Sequence, residues 1–277
     1  MKITPDIMRR LLDPGREAER GELLGLAGWT DPAQGAALLG RLVRAADPAA
    51  APAAELLAEI AASPDPDLAL LGFGRLADAS IAPAALFRSP LLERPIRELL
   101  VRLFSTSRWL TDIVVRNPGL LWWLIDRRTI EEERDATSLR RESDRQIAAF
   151  RDERRRINSL KRFQRREILR IGARDLLGLA GVETVTRELS ALADAVVGAA
   201  LGLAAGGRSR ELAGEGRGEA GAADGFAVVA LGKLGGCELN YSSDIDLLYV
   251  YDDRRMERAD AVPLARRLTS ILSEQTE

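Results

Sequence analysis

Two aspartates one residue apart, Asp244 and Asp246, are the side chains in this sequence best placed to do chemistry. They open the run Ile245-Asp246-Leu247-Leu248-Tyr249-Val250-Tyr251, whose β-branched and aromatic residues predict a strand. Alternation along a strand puts both carboxylates on one face, about 6.6 Å apart. Two carboxylates on one face suit a hard cation such as Mg²⁺, which accepts carboxylate and phosphate oxygens together. Metal ions held a few ångströms apart stabilise the entering and leaving oxygens of a phosphoryl displacement. That chemistry runs mainly on positioning and electrostatics and needs no histidine base. The chain contains no histidine, which excludes Ser-His and Cys-His nucleophile pairs and any His-based zinc site within it.

The residues upstream complete the arrangement. Phe226 to Leu231 reads as a short buried strand, followed by Gly232, Lys233, Leu234 and the pair Gly235-Gly236. The glycines remove side chains where backbone N–H groups could approach a phosphate, and Lys233 adds a point charge. Ser242 and Ser243 can donate hydroxyl hydrogen bonds to the same group. A lone Gly-Gly or Asp-x-Asp carries little information. In this order, between one strand and the next, they specify a phosphate-and-metal site.

Most of the chain before this point has helical periodicity. Asp31-Pro32 is a helix start, with an N-cap acid and proline at the first helical position. Further helices are expected over Ala53–Ala61, Leu68–Ala79 and, with Leu92, Ile96, Leu99, Leu100 and Leu103 on one side, from about Leu91. Ser105-Thr106-Ser107 caps the next helix, and Asn117-Pro118 ends it. Trp122 and Trp123 cannot share one helix face, so one is expected in the core and the other at an interface. Ser143 to Leu179 reads as one long helix or two nearly continuous ones. Between Arg151 and Arg170 nine Lys or Arg residues face three acids. That stretch is either an anion-facing surface or, more ordinarily, a solvated helix face. Val182 to Leu203 is another apolar helix. Residues 204–225 then hold seven glycines and read as a connector. The expected organisation is a helical region over 1–203, a Gly-rich linker over 204–225 and an incomplete α+β unit over 226–277.

Composition sets the outer bounds. The 277 residues are 46% apolar and 30% charged, with a net charge of −2. That balance gives no case for nucleic-acid or anionic-membrane binding. The only cysteine, Cys237, excludes an internal disulfide framework and suits a reducing, cytoplasmic setting. The N-terminus has no apolar signal core, and no run is expected to reach the length of a membrane span.

Leu234-Gly235-Gly236, seven residues, then Asp244-Ile245-Asp246 resembles the signature of the DNA polymerase β-like nucleotidyltransferases. The longer string GKLGGCELNYSSDIDL is similar to the glutamine synthetase adenylyltransferase and adenylyl-removing family. STSRWLTDIVVRNPGLLWWL and LKRFQRREILRIGARDLLGLAG resemble its helical segments. The resemblance spans most of residues 90 to 255. It implies a mainly α chain, a helical region followed by the truncated start of an α+β polymerase β-like domain. It also implies Asp244 and Asp246 as catalytic Mg²⁺ ligands, with Gly235, Gly236 and Ser243 at the phosphates; Lys233 and Ser242 are phosphate-binding candidates on their residue chemistry alone.

The wording of residues 238–246 is closer to the family's N-terminal unit. That unit is a deadenylylase, which uses inorganic phosphate to remove AMP from a glutamine synthetase tyrosine and releases ADP. The family's C-terminal unit runs the opposite transfer from ATP, under control of the PII signalling protein in nitrogen metabolism. The family's third carboxylate, from a later strand, has no counterpart here after the helix expected near Ala261. The 277 residues alone are therefore expected to be inactive. Two alternatives stand beside this reading: another polymerase β-like nucleotidyltransferase, and a helical interaction module with a non-catalytic strand pair.

Overall fold

A computed structural model describes residues 4–45, 51–80, 94–124, 126–212 and 223–274. Among them the chain is mainly α-helical with one two-stranded antiparallel sheet, as the sequence led us to expect. The chain divides into two compact units. One comprises Met1–Ile130 with Gly172–Leu177, the other Glu131–Ile171 with Gly178–Glu277.

The first unit is helical throughout its described length. Its helices are α1 (Pro5–Leu12), α2 (Arg20–Leu26), α3 (Pro32–Ala45), α4 (Ala51–Ala62), α5 (Pro66–Ala79), α6 (Arg94–Thr106), α7 (Arg108–Arg116), α8 (Leu120–Leu124) and α9 (Arg127–Glu131). Their starts follow capping chemistry: the side chains of Thr4, Asp31, Asp65 and Ser107 accept from the N–H groups of Ile7, Gln34, Leu68 and Leu110. Helices α5 and α6 approach closely where Phe73 and Phe104 meet edge to face, with ring centroids 4.9 Å apart. Gly72 permits that approach, because a Cβ there would lie 2.6 Å from the Phe104 ring. The tryptophan pair departs from expectation. Leu121 and Leu124 take the core positions of the five-residue α8, leaving Trp122 48% exposed and Trp123 half-buried. A single turn and a half of helix has room for only two inward positions, and the leucines hold both.

The second unit carries the sheet. Helix α10 (Ala136–Ala148) and helix α11 (Glu153–Leu176) are two elements with a short break, one of the two forms expected. Helix α12 is longer than predicted and runs Val182–Leu212, so the glycines at 206 and 207 lie within a helix; residues 213–222 of the expected connector lie outside the described residues. Strand β1 (Phe226–Leu231) and strand β2 (Asp246–Tyr251) pair from Phe226↔Tyr251 to Leu231↔Asp246. Helix α14 (Arg258–Ser273) follows, and the four-residue helical turn α13 (Gly232–Gly235) sits directly after β1.

Strand β1 is half-buried and not the fully buried strand its apolar run suggested. Phe226, Val228 and Ala230 pack on the core with Leu247 and Tyr249 of β2. Val229, Leu231, Leu248 and Val250 stand 41–49% exposed on the other face. The core beneath comes from α10, α11, α12 and α14, centred on Phe163, Leu192, Val196, Ala200, Leu264 and Leu268. Residues Val182–Gly206 of α12 are long and apolar enough to cross a membrane, contrary to expectation. Most of their apolar side chains, including Val185, Leu189, Leu192 and Val196, are buried in this core, while Val182 at the start of the helix is exposed. That is how the central helix of a globular unit meets the same test.

Charge is buried here as well. The basic stretch of α11 suggests a solvated face or an anion-facing surface, yet within it Glu167 and Arg170 are completely buried. Arg170 Nε donates to Glu167 at 2.8 Å, Nη2 to Glu188 of α12 at 2.7 Å, and Nη1 to the Glu132 carbonyl at 2.8 Å. Glu167 also accepts from Arg134 Nη1 at 2.8 Å, and Glu188 from the Arg134 N–H at 2.9 Å. This cluster fixes α11, α12 and the segment before α10 in one register. Removing one partner leaves a buried charge uncompensated, so Glu167→Ala should lower stability by about 3–5 kcal/mol. Urea unfolding followed by circular dichroism measures this, and an unchanged midpoint would contradict the role given to the cluster.

Candidate functional site

The sequence-predicted residues lie on one excursion of the second unit, between the end of β1 and the start of β2. Gly232 has φ +56°, a left-handed conformation that lets the chain leave β1 and turn at once into α13. Leu234 is buried beneath the turn. The turn is closed by its own backbone, with N–H donations from Gly236 to Gly232 O at 3.1 Å, Cys237 to Leu234 O at 3.1 Å and Glu238 to Lys233 O at 2.8 Å. The chain then dips inward at Leu239, which is 7% exposed. Its N–H donates to the hydroxyl of Ser190 on α12 at 3.2 Å. Ser190 is itself 1% exposed and donates to the Thr186 carbonyl at 2.8 Å, the usual back-bond of a helical serine. This is a long-range anchor, 49 residues apart in sequence.

Beyond the anchor, Asn240 organises a tight turn. Its side-chain carbonyl accepts from Ser243 Oγ at 2.6 Å and from the Ser242 N–H at 3.2 Å. Lys233 reaches across from α13, with Nζ 3.4 Å from Ser243 Oγ. Lys233 and Ser243 are thus brought together from ten residues apart. Asp244 and Asp246 follow, both exposed, alternating with the half-buried Ile245 and Leu247. Asp246 is the first residue of β2 and lies on its open face, whereas Asp244 precedes the strand, so the alternation expected for the pair reaches only Asp246.

The two neighbouring glycines differ in what the fold asks of them. A Cβ at Gly235 would lie 2.7 Å from the Ala230 carbonyl oxygen, a backbone atom that cannot step aside. A Cβ at Gly236 would meet nothing closer than 3.7 Å, and its φ of −85° suits any residue. Gly235 is required to close α13 onto β1, whereas Gly236 leaves room that the fold does not use. The Gly236 N–H is committed to the turn, so what this residue offers a ligand is space and not a donor. The Ser243 hydroxyl proton is likewise directed at Asn240. Gly232 has a related role, since a Cβ there would sit 2.9 Å from Asp246 Oδ2. Gly232, Ser190 and Asn240 were not among the expected site residues. Asn240 had a signal, the Asn-x-Ser turn chemistry; Ser190 had none, being one serine in an apolar helix.

Among the described residues no three His, Cys, Asp or Glu side chains come together as a metal cluster. Asp244 and Asp246 supply two carboxylates, and the missing side chain at Gly232 keeps Asp246 Oδ2 accessible. A two-carboxylate donor set fits Mg²⁺, which keeps several waters and takes its other ligands from substrate phosphates.

Substitution separates the glycines. Gly235→Ala should cost about 1–3 kcal/mol through overlap with the Ala230 carbonyl. Gly236→Ala should be neutral or stabilising by about 0.4–1 kcal/mol, because it restricts the unfolded chain without strain. Denaturant midpoints of the two variants test this, and equal losses would refute the distinction.

Comparison with known proteins gives the chain a family. The family model described as glutamate-ammonia ligase adenylyltransferase matches residues 97–277. Three relatives carry the name bifunctional glutamine synthetase adenylyltransferase/adenylyl-removing enzyme. That of Neisseria meningitidis serogroup B is 36% identical over 179 residues, 64% of this chain and 19% of the relative. That of Chromobacterium violaceum is 34% identical over 200 residues, covering 71% and 22%. That of Mycobacterium marinum is 33% identical over 198 residues, covering 70% and 19%. The chain thus spans about a fifth of the length of the curated relatives it matches. With the match running from α6 through the Gly-Gly turn and both aspartates, the chain belongs to the glutamate-ammonia ligase adenylyltransferase family.

Proposed function

We propose that this chain carries the nucleotidyl-transfer residues of a deadenylylase acting on glutamine synthetase. The observation that carries the reading is the meeting of Lys233 and Ser243 on the rim that also bears Asp244 and Asp246. The relatives' shared name, adenylyltransferase and adenylyl-removing enzyme, supports the same substrate. In the proposed reaction an oxygen of inorganic phosphate attacks the phosphorus of AMP esterified to a tyrosine. The new P–O bond forms ADP, the bond to the phenol oxygen breaks, and the proton carried by phosphate ends on the tyrosine. Lys233 offsets charge on the phosphate oxygens, and the room at Gly236 admits them to the turn. Ser242, exposed beside Ser243, supplies a hydroxyl at the same rim. Asp244 and Asp246 would hold Mg²⁺, which when bound supplies charge neutralisation at the transferring phosphoryl group. Leu239 and the buried Leu234 keep the excursion from moving as the nucleotide arrives.

Metal and nucleotide binding separate the roles. Mn²⁺ titration of the chain, followed by electron paramagnetic resonance, should show a site weakened at least about tenfold by Asp244→Asn or Asp246→Asn, as expected on loss of a charged ligand. Lys233→Ala should leave Mn²⁺ affinity intact and weaken ADP binding in its presence. Equal Mn²⁺ affinity in the wild type and both aspartate variants would rule the reading out.

A further inference from the structure

We propose that Asn240 is a positioning residue for this site: it takes the Ser243 proton, so that Ser243 acts as the acceptor that holds Lys233 toward the phosphates. The proposal rests on the nucleotidyl-transfer reading above. The hydrogen bonds around Ser243 admit only one assignment. A serine hydroxyl has one proton and two lone pairs. Two of its neighbours can only donate: the Asn240 backbone N–H at 3.4 Å and the Lys233 ammonium at 3.4 Å. Both must therefore meet lone pairs. The third neighbour, Asn240 Oδ1 at 2.6 Å, is left to receive the proton.

The orientation of the Asn240 amide is fixed by the same logic. The Ser242 N–H, an obligatory donor, lies 3.2 Å from Oδ1, so the oxygen and not the NH₂ must face the turn. Ser243 is thus fully engaged, with one proton given and two lone pairs used. It has no donor left for a phosphate, and the cation presented to the substrate is Lys233. This reverses the simpler expectation that both serines donate to the phosphate; only Ser242 retains that freedom. Asn240 can do this because the residue before it is pinned. The Leu239 N–H bond to Ser190 is buried, so the turn starts from a fixed point on α12.

The test is a cycle of Asn240→Ala, Ser243→Ala and the double variant, with Asn240→Asp as the variant that keeps an oxygen acceptor. Two quantities are read on the chain: residue-resolved hydrogen exchange of the Ser242 amide, and ADP affinity in the presence of Mn²⁺. Asn240→Ala should speed Ser242 exchange about fivefold, the equivalent of one lost hydrogen bond, and Asn240→Asp should restore protection. Asn240→Ala and Ser243→Ala should each weaken ADP by about fivefold, and the double variant should be no worse than either. Unchanged Ser242 exchange in Asn240→Ala, or fully additive losses in the double variant, would overturn the proposal. A wild-type chain that binds no ADP would instead overturn the nucleotidyl-transfer reading, and this proposal with it.

Discussion

The site depends on a buried arginine. Arg170 spends all three guanidinium nitrogens inside the second unit, on Glu167 of its own helix, Glu188 of α12 and the Glu132 carbonyl. Burying such a cluster stabilises little in itself, because desolvation offsets most of the attraction. What it supplies is register. Once Glu188 is held, α12 cannot rotate or slide, and Ser190, two residues further along, is presented on a different side of the helix. Ser190 then receives the Leu239 N–H and fixes the point from which the functional turn begins. A chain of short, directional contacts therefore runs from a charge cluster to Asn240, Ser243 and Lys233. Its hydrogen bonds are joined through the backbone, from Glu188 to Ser190 and from Leu239 to Asn240.

The fold treats the two faces of the small sheet differently. One face rests on α12 and α14, where Phe226 stacks on Tyr249 at 5.9 Å and the Tyr249 hydroxyl meets Thr269 at 2.8 Å. From the other end, Lys161 of α11 donates to the Leu272 carbonyl at 2.6 Å and so closes the last turn of α14. Burial, with Arg165 adding to it, holds the Lys161 pKa below the ordinary lysine value. The charged form is thus disfavoured by folding, and that cost is relieved as pH rises through the lowered value toward the unfolded one. The opposite face of the sheet is open and carries Asp246 at its edge, with Asp244 exposed in the segment just before β2. Packing and hydrogen bonding are concentrated under one face of the sheet, and the open face lies on the side where phosphate chemistry is proposed.

Much of this was legible in the sequence, for identifiable reasons. Helix starts at Asp31-Pro32 and Ser107 were readable because capping is local chemistry. Both strands were readable because their period changes from that of the helices before them. The Gly-Gly and Asp-x-Asp elements stood out through their order and spacing between two strands, since neither says much alone. What escaped was long-range. No local pattern marks Ser190 as the partner of Leu239, or separates the buried Glu167 and Arg170 from the exposed arginines around them. The two glycines looked equivalent, and only the position of the Ala230 carbonyl distinguishes them. The open face of β1 was hidden because an apolar run of six residues does not say how many sides are covered.

The central proposal is that this excursion supports removal of AMP by phosphorolysis, with Asp246 as a metal ligand. It is tested most directly by supplying ³²P-labelled inorganic phosphate and adenylylated glutamine synthetase to the product of the full reading frame that contains this chain. The account predicts label in the β-phosphate of ADP, lost on Asp246→Asn while glutamine synthetase is still bound. Release of unlabelled AMP, or label in ADP undiminished by Asp246→Asn, would contradict it.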